Sequence, residues 1–127
     1  MDKRAFLERV EQAADIGSGK ESERRALAVV VALAHLASDT AQRRRFISQL
    51  PGFLKSGVLD EWPTAPVAWS RDAFVQHVAA ALGTHAAQAE IALRGVYTVL
   101  QEAISPGEIA DFEAGLPHDI RALLHRP

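Results

Sequence analysis

Apolar residues recur along this chain at helical spacing almost throughout. Phe6, Val10, Ala13 and Ala14 fall at i, i+4, i+7 and i+8, the stripe of one helix face. Gly17 follows as a residue suited to the left-handed conformation that ends helices. Ser18 and Glu21 then have capping-box spacing for a second helix, whose body over 26–37 is apolar nearly all round. A helix of that kind belongs in the middle of a bundle. A third helix is expected from Asp39, with Gln42 at the reciprocal capping position, ending before Pro51. A short fourth runs through Phe53, Leu54 and Val58. No alternating polar and apolar run and no Asn-Gly or Asp-Gly turn points to strands.

The pattern then repeats. Phe74 and Val78 match Phe6 and Val10 at an offset of 68, and from Ala26 to Val58 the offset is 66 without a gap. It pairs Ala26 with Ala92, Leu27 with Leu93, Val30 with Val96, Ala37 with Ala103, Phe46 with Phe112, Leu50 with Leu116 and Pro51 with Pro117. The helix-start signals coincide as well: Asp39 and Gln42 fall on Ser105 and Glu108, and Pro106 takes the first helical position. In the second copy Ala89, Leu93, Val96, Tyr97, Leu100, Ala103 and Ile104 make the cleanest amphipathic stripe of the chain. Between the copies lies a stiff connector with Pro63 and Pro66, whose Trp62 and Trp69 are expected to pack on helices, and Ser70 caps the next helix. The expected fold is therefore all-α, with eight helices in two tandem pseudo-symmetric four-helix repeats packed into one compact domain. That domain is 1–127, with repeat 1 at 5–58, the connector at 59–70 and repeat 2 at 71–124.

Phe6-Leu7-Glu8-Arg9-Val10 and Phe74-Val75-Gln76-His77-Val78, with Gln49-Leu50-Pro51, Gly115-Leu116-Pro117 and Trp62, give the chain a family likeness. It resembles the bacterial "domain of unknown function 2267" family over nearly its whole length, with a connector that lacks the family's basic residues. The resemblance implies a small, soluble, all-helical bacterial protein without an established activity, perceived by analogy as stress-associated. It transfers no catalytic residue.

Composition narrows the functional classes. With 48% hydrophobic and 24% charged residues, the 127-residue chain is no solvated disordered segment. The absence of cysteine removes disulfides, thiolate metal sites and cysteine nucleophiles. The net charge of −2 divides unevenly, with residues 1–60 near +2 and residues 61–127 near −4, a polarity suited to orienting two molecules but too weak to imply nucleic acid or a membrane. No apolar stretch follows the basic N-terminal residues, so a cytoplasmic location is expected. The longest apolar run, at 26–36, is too short to span a bilayer.

Candidate chemistry is sparse. His35, His77, His85, His118 and His125 show no helical zinc spacing, so neither metal nor cofactor is expected. His35 interrupts the apolar helix, either as a residue of the helix end or as a polar group aimed into a pocket. No serine sits in a nucleophile elbow. The Ile16-Gly17-Ser18-Gly19-Lys20 run lacks the spacing and the strand of a phosphate loop. Carboxylate pairs such as Glu8 with Glu11 and Asp111 with Glu113 read as solvated helix charges. Arg43, Arg44 and Arg45, with Lys55 and Arg24-Arg25 nearby in sequence, form the sharpest charge feature. Successive helical residues turn by about 100°, so the three arginines cannot share one face. The reading is a non-enzymatic helical interaction or regulatory module, with Arg43, Arg44, Arg45, Trp62 and Trp69 as candidate contacts for a protein partner or a second copy. The alternatives are a small apolar ligand held between the halves and weak nucleic-acid binding through the basic helix.

Overall fold

Local capping sets most of the helix boundaries. In the computed structural model, which describes residues 1–37, 39–60 and 69–125, Asp2 Oδ1 accepts from the Ala5 N–H at 2.8 Å and starts α1 (Lys3–Ala13). Asp39 accepts from the Gln42 N–H at 2.7 Å to start α3 (Thr40–Ser48), after α2 (Gly19–Ala34) and before α4 (Gly52–Asp60). Ser70 Oγ accepts from the Ala73 N–H at 3.1 Å at the head of α5 (Arg71–Leu82), and His85 Nδ1 from the Gln88 N–H at 3.4 Å at the head of α6 (Ala86–Ala103). Ser105 Oγ accepts from the Glu108 N–H at 3.3 Å to start α7 (Pro106–Ala114), and α8 (His118–His125) ends the described chain. Each cap satisfies an N–H that the helix itself leaves unpaired. Among the described residues there are eight helices and no strand.

Two local expectations fail, each for a tertiary or stereochemical reason. The first helix stops at Ala13 and not at Gly17, because Ala14 turns extended and is buried against α6. A Cβ on Gly95 of α6 would collide with the Ala13 carbonyl oxygen and with Ala14, so the two helices meet where only glycine fits. Ser18 makes no side-chain cap, since Gly19 at φ +61° breaks the capping-box geometry, and Glu21 turns instead to Arg24 at 2.9 Å. By contrast, Gly83 at φ +69° closes α5 in the left-handed conformation, and Thr84 N–H donates back to the Ala79 carbonyl at 2.9 Å.

One apolar cluster joins the helices. Phe6, Phe46, Phe74 and Phe112 are fully buried, and Phe46 stacks on Phe112 with ring centroids 4.8 Å apart and planes 22° apart. That stack joins α3 to α7, flanked by the Ser105 N–H donating to Gln49 Oε1 at 2.9 Å and by Gln42 Nε2 donating to the Asp111 carbonyl. The first helix packs on α6 and α2 packs on α5, while α4 and α8 lie against α2 and α6 respectively. The second helix touches α1, α3, α4, α5 and α6, which gives it the central position its sequence predicts. Its Leu27, Ala28 and Val31 nevertheless stay half-buried, and the site begins there.

Candidate functional site

The three consecutive arginines go three ways. Arg43 is 1% exposed, and its Nε donates to the Ala34 carbonyl at 3.1 Å, at the C-terminal end of α2. That is a favourable place for a cation, although burial pushes its guanidinium below the usual arginine range. Arg44 is exposed. Arg45 Nε lies 3.8 Å from Oε1 of Glu108, a buried carboxylate on α7. The expected contact role of Arg43 is thereby corrected: a side chain enclosed by the bundle offers nothing to a partner, and no three-arginine face exists for a phosphate backbone. Lys55 lies half-buried on α4, and Arg24 carries its charge against Glu21.

Trp69 is half-buried on the core, edge-on to Phe74 at 5.9 Å and against His77 at 4.9 Å. Its indole N–H has no hydrogen-bond partner among the described residues. Trp62, with Pro63 and Pro66, lies outside the described residues.

Beside Trp69 an open apolar groove of about 330 Å³ runs between α2 and α5. The second helix contributes Arg24, Leu27, Ala28, Val31 and His35, spaced i, i+3, i+4, i+7 and i+11 along one face. The fifth contributes His77 and Ala81, one turn apart. Leu27 leans on α4, where a Cβ on Gly57 would lie 2.7 Å from both of its δ-carbons. The two ends of the groove differ. At one, the Arg24 guanidinium is already engaged by Glu21, whose carboxyl that hydrogen bond holds below its ordinary range. At the other, the imidazoles of His35 and His77 stand 6.2 Å apart, centre to centre. His35 thus occupies the end of its helix, as the C-cap of α2, and also lines a pocket.

The family model described as an uncharacterized conserved protein, DUF2267, matches residues 3–123. The chain belongs to the DUF2267 family. No curated protein matches it.

A second cluster in this DUF2267 chain escaped sequence reasoning. The Tyr97 hydroxyl on α6 donates to Glu113 on α7, and Glu113 Oε2 lies 2.7 Å from His125 Nε2 on α8. The His125 ring stands edge-on to Tyr97 at 5.8 Å. Burial first, then the bond to Glu113, pushes the Tyr97 phenol well above its ordinary range, so it stays a neutral donor. The arrangement ties three helices together. Only the burial of Tyr97 in the amphipathic stripe was visible beforehand. A smaller polar recess of about 130 Å³, lined by Asp15, Arg25, Thr84 and Gln88 among others, lies where the α1–α2 and α5–α6 connections meet, with Gln88 Nε2 donating to Asp15 at 3.1 Å. No group of three or more metal-ligating side chains is found among the described residues of this DUF2267 member. No described helix is long and apolar enough to cross a membrane.

Proposed function

We propose that this DUF2267 protein is a non-enzymatic helical interaction or regulatory module of the bacterial cytoplasm, whose docking face is the groove between α2 and α5. The observation that carries this reading is the half-buried stripe of Leu27, Ala28 and Val31, apolar surface on the central helix that the described chain covers only in part. Contiguous apolar surface of this kind marks interaction sites more often than isolated exposed residues do. The ionisable groups support it too, because Arg43, Glu113 and Tyr97 are committed to helix ends and interhelical bonds. A photo-crosslinking residue at Ala81, in the groove, is expected to trap a discrete partner in cells. One at Ile91, exposed on α6, is not. Equal labelling at both positions, or none at Ala81, would remove the groove from the interaction.

The reading includes two tandem four-helix repeats, 5–58 and 71–124, sharing one core. In support, α3 and α7 differ by 66 at both ends, the same offset that aligns the two sequences. Phe46 stacks on Phe112, its own counterpart under that offset, as residues beside a two-fold axis do. The groove then lies between the halves. That position and its volume, at the lower end of the range for small-molecule sites, favour a second reading in which it holds a small apolar ligand.

A further inference from the structure

We propose that the groove between α2 and α5 takes a medium-chain monocarboxylate, with its alkyl tail along Leu27, Ala28, Val31 and Ala81 and its carboxylate at His77. This rests on the second reading above and adds the chemical class of the ligand. The floor is hydrocarbon: Leu27, Ala28 and Val31 of α2 face Ala81 of α5, and the alanines leave width for a thin chain. The span from Ala28 to His35 along the helix is about 10 Å at 1.5 Å per residue, which suits a tail of about eight to ten carbons. Among the described residues no carboxylate lines the groove, and the polar side chains that do are Arg24, His35 and His77. These are all nitrogen bases that pair with acids, so the lining is complementary to an anionic head and not to a cationic one.

The two ends do not compete equally for that head. Arg24 donates through Nε and Nη2 to Glu21 at 3.2 and 2.9 Å, so an anion at that end would have to displace an internal carboxylate. His77 is exposed at the opposite end, and Trp69 packs against its ring at 4.9 Å, which limits its orientations before any ligand arrives. His35 places a second imidazole 6.2 Å away. The alkyl chain therefore points from the histidine end toward Ala28.

The test titrates sodium decanoate, below its micelle concentration, into the full chain. Methyl and imidazole resonances are followed, with decanol as the neutral counterpart. Saturable shifts are expected at Leu27, Ala28, Val31, Ala81 and His77. Decanol should bind at least tenfold more weakly. Ala81→Trp, an exposed position whose enlargement fills the groove, should abolish the shifts, and His77→Ala should weaken decanoate at least tenfold. Unchanged melting of both variants separates these effects from unfolding. Equal affinity for decanoate and decanol, or no effect of His77→Ala, would overturn the carboxylate assignment and leave the apolar-ligand reading standing. Absent or unsaturable shifts, or shifts indifferent to Ala81→Trp, would overturn both.

Discussion

Phe46 and Phe112 carry the heaviest single-residue consequences. Both are fully enclosed, so truncating either to alanine removes a ring and leaves a cavity, with an expected loss of about 3–5 kcal/mol in denaturant unfolding. Because each ring is the other's stacking partner, the double variant should lose less than the sum of the singles, by about 0.5–1.5 kcal/mol. Strict additivity would mean that the stack contributes nothing beyond the area of each ring. Arg43 marks the limit of residue-scale reading from sequence. Helical geometry alone says that three successive arginines must diverge, but which one turns inward depends on where α2 ends in space. Its last carbonyl, that of Ala34, accepts from Arg43 Nε. Likewise, Tyr97, Glu113 and His125 sit on three different helices at separations no sequence rule recognises, so their meeting was not legible.

Elements were far more legible where one residue decides them. Asp39, Ser70 and Ser105 cap as their types and positions predict, because a cap involves only a side chain and an N–H three residues on. Ser18 misled because its neighbour Gly19 adopts a conformation open chiefly to glycine. Packing between elements gives a sharper test at Gly95. Gly95→Ala would drive a methyl into backbone atoms of Ala13 and Ala14, so helix propensity improves while stability falls by about 1–3 kcal/mol. A more stable variant would contradict the close approach of α1 and α6. The bond from Tyr97 to Glu113 carries a pH consequence for the contacts among α6, α7 and α8. The folded phenol has its pKa raised, so its contribution to stability is complete below the unfolded value of about 10 and is lost as pH rises above it. Since the chain has a single tyrosine, phenolate absorbance reports this directly. Ionisation is expected to coincide with alkaline unfolding, and Tyr97→Phe should remove that part of the pH dependence. Free titration of the phenol near 10 in the folded protein would show that it is not enclosed.

At the scale of the molecule, periodicity and punctuation anticipated an all-helical chain because every helix here has an apolar stripe to bury. A pocket between the halves was one alternative the sequence offered, but not which helices would wall it, since α2 and α5 meet only through the tertiary arrangement, and an all-round apolar helix gives no hint of which flank stays open. The way the helices cross has a thermodynamic corollary. With α1 on α6, α2 on α5 and α3 on α7, the two stretches 5–58 and 71–124 should melt together. Calorimetry and hydrogen exchange are expected to give one transition, with Phe46 and Phe112 regions protected alike. Two separable transitions would indicate independent units.

The packing of α1 and α2 against helices encoded far downstream also bears on how the protein is made. A ribosome releases residues 1–60 before α5 and α6 exist, so a nascent chain at that stage holds Phe6, Val10 and Phe46 without the surfaces that later enclose them. Helices can form as they emerge, but α1 and α2 have to wait for α5 and α6 to cover their apolar faces, and Phe46 on α3 has to wait for Phe112 on α7. Until then the polypeptide presents to the cell a half-product with apolar faces still open, the form most exposed to chaperones and proteases.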